Sequence, residues 1–139
     1  MVAETDQALK VRVLSPDRLV LEGEADYVVL RSTEGDLAIH PGHEPLVTPL
    51  DITAVRYRAP GGSERRLAVH HGYLRVMEND VLILAQIAER GDQIDAVRAR
   101  AARERAERRL REARPETDTR RTERSLRKAL IRLLVIGRE

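Results

Sequence analysis

Cysteine is absent from the 139 residues, and so are phenylalanine and tryptophan. Without thiols there are no disulfides and no thiolate metal sites, which fits a reducing compartment such as the cytosol. Without Phe and Trp, any core has to be built from Val, Leu, Ile and Ala. The 3 tyrosines all fall in the first 90 residues, so no stacking platform for single-stranded nucleic acid accompanies the later positive charge. No stretch approaches the roughly 18 uninterrupted apolar residues that suggest a membrane span. Met1 to Asp6 has neither a basic flank nor an apolar run, so no signal peptide is expected. Lysine is nearly missing: Lys10 and Lys128 are the two lysines among 25 basic residues.

What is present is unevenly placed. Residues 1–90 hold 10 Lys/Arg against 14 Asp/Glu, a net of −4, whereas residues 91–139 hold 15 against 9, a net of +6. An acidic body with a basic tail points the tail towards an anion, either a phosphate or an acidic protein surface. Guanidinium forks suit bidentate contacts with both. A genome rich in G and C would give the same arginine bias.

Up to about Ala85 the chain has the two-residue rhythm of strands. Leu9 to Val13 alternates apolar and basic side chains, Leu19-Val20-Leu21 and Tyr27 to Leu30 follow, and Leu37-Ala38-Ile39 is short. Pro41-Gly42 and Pro45 predict irregular chain as far as Leu50. Strands then return over Ile52–Arg58, Arg65–His70, Tyr73–Val76 and Val81–Ala85, the third set off by Gly72. Short strands at regular spacing with turn residues between them predict a β-sandwich or flattened barrel.

After Gly91-Asp92 the rhythm becomes helical. Asp92 or Gln93 is placed to start a helix, with Asp95 near its positive end. Ile94, Val97, Ala101, Leu110 and Ala113 make a thin apolar stripe. Arg100–Glu104, Glu104–Arg108, Arg103–Glu107 and Arg108–Glu112 are spaced for ion pairs, each contributing about 0.2–0.5 kcal/mol. Pro115 ends the helix and Glu116 to Thr119 forms a capped loop. A second helix from about Arg120 to Val135 buries Leu126, Ala129, Leu130 and Leu133. The fold expected is α+β: an N-terminal β-sandwich over residues 1–90 and an antiparallel two-helix hairpin over residues 91–139. The hairpin's few apolar contacts predict weak docking and mobility.

Gly35-Asp36-Leu37-Ala38-Ile39-His40-Pro41-Gly42-His43-Glu44-Pro45-Leu46 resembles the signature of the epsilon-subunit family of bacterial F-type ATP synthases. That signature runs Gly-acidic-Leu, an apolar position, Pro-Gly-His, any residue, Pro-Leu. The order of parts, sandwich then hairpin, is also that family's, and the resemblance runs from about Leu9 to Leu133. Ile94-Asp95-Ala96-Val97-Arg98-Ala99 matches the family's ATP-binding motif, Ile/Leu-Asp-any-any-Arg-Ala. Ala38 stands where the family usually has Gly, and His40 where it has an apolar residue. His70-His71-Gly72 replaces Ser-Gly-Gly, so, if the Gly it replaces had a positive φ, His71 accepts one or the turn differs.

The resemblance implies Glu89, Ile94, Asp95, Arg98, Ala99, Arg105, Lys128 and Arg132 as contacts for ATP, held as a regulatory ligand and not hydrolysed. Helical spacing adds that Arg98, Arg105 and Arg109 share a face, as do Lys128 and Arg132. A triphosphate between the two faces would relieve their repulsion. Lys128 stands where the family has Arg, which removes a bidentate grip. The alternative is a solvated, salt-bridged helix pair that binds no nucleotide. No Gly-x-x-x-x-Gly-Lys-Ser/Thr loop is present, so no catalytic residue is assigned.

The resemblance further implies a subunit of a proton-translocating ATP synthase at the cytoplasmic face of the bacterial inner membrane. Its sandwich would touch the gamma subunit and the ring of c subunits. Its hairpin, extended along gamma, would meet the alpha and beta subunits and inhibit ATP hydrolysis. Membrane contact would come through the complex alone, and no nucleic acid is expected. The rival is a free-standing Arg-rich nucleic-acid module. His40, His43, His70 and His71 raise a zinc site, but no Cys or clear acidic partner accompanies them. His43 is expected to hydrogen-bond within its own loop.

Overall fold

The computed structural model describes residues 8–115 and 118–137. Glu116 and Thr117 of the expected loop, and Met1 to Asp6, lie outside the described residues. Seven strands come first: β1 (Leu9–Ser15), β2 (Arg18–Ala25), β3 (Tyr27–Ser32), β4 (Gly35–Ile39), β5 (Leu46–Arg58), β6 (Glu64–Met77) and β7 (Asp80–Arg90). A 3-10 turn over Gly91–Gln93 leads into α1 (Ala96–Arg111) and α2 (Thr119–Val135).

The strands form one sheet in the order β2-β1-β7-β6-β5-β3-β4. Neighbours are antiparallel except β1 and β7, which run parallel. The sheet is not closed, yet Val20 on one edge strand and Ile39 on the other belong to the same buried cluster. The sheet therefore wraps over itself and its inner face makes a single core, the expected sandwich. Leu67, Leu74 and Ile83 are fully buried in it, each worth about 1.5–3 kcal/mol of hydrophobic stabilisation.

The wrap has a physical seam. The ladder pairs Leu50 with Gly72 and Gly72 with Ala85, then Ile52 with His70 and His70 with Ile87. Asp51, His71 and Gln86 lie between these pairs as a line of unpaired positions. Inward residues change parity across the line. In β6 they are Leu67 and Val69 before it and Leu74 and Val76 after it; in β7 they are Ile83 and Ala85, then Ala88. One strand can thus keep feeding the core through a bend. His71 takes φ 58 here, so of the two alternatives the sequence left open it accepts the left-handed conformation. Gly72 is needed for a different reason: a Cβ there would collide with the Leu84 carbonyl oxygen and lie 2.8 Å from Ala85 Cα.

Two expectations about strands are corrected. β5 starts at Leu46, not Ile52, and includes Pro49 opposite Tyr73; Pro49 lacks a donor, but its carbonyl still accepts from the Thr33 N–H at 3.3 Å. Gly72 does not divide two strands but lies inside the 14-residue β6, because it relieves crowding rather than making a turn.

The helices begin at aspartates. Asp95 caps α1 by accepting from the Arg98 N–H at 3.1 Å, and Asp118 caps α2 by accepting from the Arg121 N–H at 3.1 Å. α1 therefore starts later than Asp92 or Gln93, which belong to the preceding turn; there the Gln93 side chain accepts from the Arg90 N–H at 3.0 Å. Of the four expected i,i+4 pairs, Arg103–Glu107 forms, at 3.3 Å. The apolar stripe of α1 is also different: Ala99 and Ala106 are buried, while Val97 is 68% exposed. α2 buries Ala129 and Leu133 as expected, with Thr122 and Val135, while Leu126 and Leu130 are only half-buried.

The hairpin is seated more specifically than its apolar content suggested. Arg132 Nε donates to Glu89 Oε1 of β7 at 2.7 Å, and Arg127 Nη1 to Asp51 Oδ2 of β5 at 2.9 Å. Arg66 Nη1 of β6 donates to the Leu134 carbonyl at 3.0 Å.

Candidate nucleotide site between hairpin and sheet

The cavity beside α1 follows from the way this helix starts. Asp95 fixes the first turn, so the next positions on one face are Arg98, Ala101, Ala102 and Arg105, spaced i, i+3, i+4 and i+7. The end of β7 brings Glu89 to that face and α2 brings Arg132. Together with Gln93, Ile94, Asp95 and Ala99 they line a cavity of about 350 Å³, within the roughly 300–1,000 Å³ range of small-molecule sites.

Seven of the eight candidates, Glu89, Ile94, Asp95, Arg98, Ala99, Arg105 and Arg132, are thereby brought together. Lys128 is not among the lining residues; it is half-buried, and its charge acts on His70. Arg109 also leaves the group, lining an adjoining hollow with Arg105, Arg108, Glu112 and Arg114. Eleven residues of helix carry Arg109 about 16 Å along the axis from Arg98, beyond one shared cavity. Gln93, Ala101 and Ala102 were missed. The two alanines were legible, because they fill the i+3 and i+4 positions between the two arginines.

The charges are arranged for an anion. Glu89 is occupied by Arg132, and both side chains are about three-quarters buried, at 25% and 27% relative exposure. The Asp95 carboxylate is occupied by its cap bond. Among the described residues, the Arg98 and Arg105 guanidiniums have no ion-pair partner, so two forks remain to meet phosphate oxygens. Ile94 supplies an apolar wall, and the small side chains of Ala99, Ala101 and Ala102 leave room beside it.

Three of the four histidines are employed elsewhere. His43 Nδ1 lies 2.7 Å from the Glu44 carbonyl, and the His43 N–H donates to the His40 carbonyl at 3.1 Å. His43 thus bonds within its own loop, as expected. The His40 ring lies beside Tyr27, with ring centroids 6.4 Å apart and planes tilted by 43°. His71 Nδ1 faces Asp51 Oδ1 at 3.2 Å across the seam. Among the described residues, no three His, Cys, Asp or Glu side chains converge as metal ligands. No helix among them is long and apolar enough to cross a membrane.

A wrapped seven-stranded sheet carrying a helical hairpin with an Asp-capped, arginine-lined first helix defines the architectural class. Comparison with known proteins specifies it further. The family model described as "ATP synthase, Delta/Epsilon chain, beta-sandwich domain" matches residues 8–91. The model described as "ATP synthase, Delta/Epsilon chain, long alpha-helix domain" matches residues 92–137. The ATP synthase epsilon chain of Moorella thermoacetica is 44% identical over 130 residues, covering 94% of this chain and 97% of that relative. That of Halalkalibacterium halodurans is 47% identical over 131 residues, covering 94% and 98%. In the solved Euglena gracilis mitochondrial ATP synthase, one chain superposes with a TM-score of 0.76 at 20% identity, covering 89% of this chain and 78% of its own. A chain of the Tetrahymena thermophila mitochondrial ATP synthase central stalk and c-ring gives 0.59 at 14% identity, covering 96% and 98%. The chain belongs to the ATP synthase delta/epsilon family, and the bacterial relatives it matches are epsilon chains.

Proposed function

We propose that this chain is a non-catalytic subunit of the central stalk of a proton-translocating ATP synthase, working at the cytoplasmic face of a bacterial membrane. The sandwich docks on the gamma subunit and the c-ring. The observation that carries this reading is an apolar row on the outer face of the sheet. Pairing places Pro49, Tyr73, Leu84 and Leu14 side by side across four strands. Tyr73 is 58% exposed, Leu84 48%, and nearby Val47 68%. A cleft of about 550 Å³ beside them continues to the seam at His71 and Gln86. Exposed apolar surface of this kind marks a protein interface.

The hairpin is the regulatory part. ATP held by Arg98 and Arg105 in the cavity between α1 and the sheet stabilises the docked form and is not hydrolysed there. Released, the arm reaches the alpha and beta subunits, presents its arginines to acidic surfaces and inhibits hydrolysis.

The testing experiment is co-purification with the gamma subunit. Wild-type chain should retain gamma, and Tyr73→Asp should lose it while keeping its circular dichroism spectrum. Salt-sensitive binding to DNA with no retention of gamma would favour the nucleic-acid reading instead.

A further inference from the structure

His70 projects from β6 into the contact with α2, where the resemblance pattern has Ser. It is completely buried, and among the described residues neither ring nitrogen has a hydrogen-bonding group. Its surroundings are unsuited to a second charge. From α2, Lys128 and Arg132 face it with positive charge, and on β6 His71 is its neighbour. β5 places Ile52 opposite, and β7 places Ile87 opposite. The nearby carboxylates are already engaged: Asp51 by Arg127 and His71, and Glu89 by Arg132.

We propose that His70 makes docking of the hairpin pH-sensitive, a proton on its ring releasing α2 from the sheet. The docked site has cations on one side, apolar side chains on two others and, among the described residues, no free carboxylate to receive an imidazolium. Moving α2 away exposes the ring to water and removes Lys128 and Arg132 from its side.

Burial, then the charges of Arg132, Lys128 and His71, hold the docked ring's pKa down from 6.5 to about 3. The sign follows from the undocked form binding the proton more tightly. The advantage of the docked state is full above about pH 6.5 and is lost as the pH falls from there. Between about pH 7.5 and pH 5.5 the undocked-to-docked ratio should rise about ten-fold. On the reading that the released arm restrains hydrolysis, acidification favours restraint; the docking equilibrium itself is independent of that reading.

The chain has no cysteine, so paired spin labels can be placed at Glu34→Cys and Arg124→Cys and the distance between them followed without nucleotide or partner subunits. The long-distance population relative to the short one should grow about ten-fold over that pH interval. His70→Ser should abolish the growth, and His71→Gly should keep it. Ring resonances of wild-type His70 supply a second readout should the released population be too small or His70→Ser fail to fold. The ring should stay neutral while α2 is docked. A full pH response in His70→Ser, a flat wild-type response with the ring titrating near pH 6.5 in the docked state, or loss of the response in His71→Gly alone would overturn the proposal.

Discussion

Replacing Glu89 by Gln removes the charge that holds α2 to β7 while nearly conserving shape. The bond it forms with Arg132 is 2.7 Å long and connects side chains only 25% and 27% exposed. A charge-assisted bond of this type contributes about 1.5–3 kcal/mol. The variant also leaves Arg132 near Lys128 without its counter-ion, so the upper half of that range is expected. The docked-to-undocked ratio should fall roughly 40- to 140-fold, at about 1.4 kcal/mol per factor of ten. Hydrogen exchange at the amides of α2 from Lys128 to Leu133, measured without nucleotide, should accelerate by the same factor. Arg127→Ala is the comparison. Its pair with Asp51 is similar in length, 2.9 Å, but the side chains are 50% and 40% exposed, so the loss should be about 0.2–1 kcal/mol. Unchanged exchange in Glu89→Gln, or equal acceleration in both variants, would refute the assignment of docking strength to burial of the pair.

Arg98→Ala should weaken ATP binding by about 1.5–3 kcal/mol in titration calorimetry, whereas Arg109→Ala, outside the cavity, should change it little. Gly72→Ala should cost about 3 kcal/mol or more in urea unfolding, because the added methyl meets β7 backbone. At the neighbouring φ of 58, His71→Val should be about 1–2 kcal/mol less stable than His71→Gly by the same measurement. Residues 1–90 alone should show a strand-rich circular dichroism spectrum with cooperative melting.

The sandwich was legible because alternation and turn residues are local signals, and Leu9–Val13 or Tyr27–Leu30 carries them unambiguously. The long strands were not, because Gly72 and Pro49 read as breakers. What keeps them in the ladder is non-local: the close approach of β7 to Gly72 and the hydrogen bond from the Thr33 N–H to the Pro49 carbonyl. The cavity proposed for nucleotide was legible where helical spacing governs it, at Arg98 and Arg105. Lys128 and Arg109 illustrate the limit. Sharing a helix face is angular information, and reaching one cavity also requires the axial distance and the position of the sheet. The buried setting of His70 was invisible to periodicity, since it is decided by where α2 lands.

The central claim is that ATP closes the hairpin on the sheet, and it is tested most directly by the distance between the sandwich and α2 during an ATP titration followed in parallel by calorimetry. A ligand that binds only the docked form stabilises it by about 2.7 kcal/mol at a hundredfold excess over Kd, enough to shift a closely balanced hairpin to mostly docked. The expected result is a shift to the short distance with a midpoint matching the calorimetric one, lost in Arg98→Ala. Heat of binding with a distance distribution that does not change, or no heat at millimolar ATP, would contradict the claim.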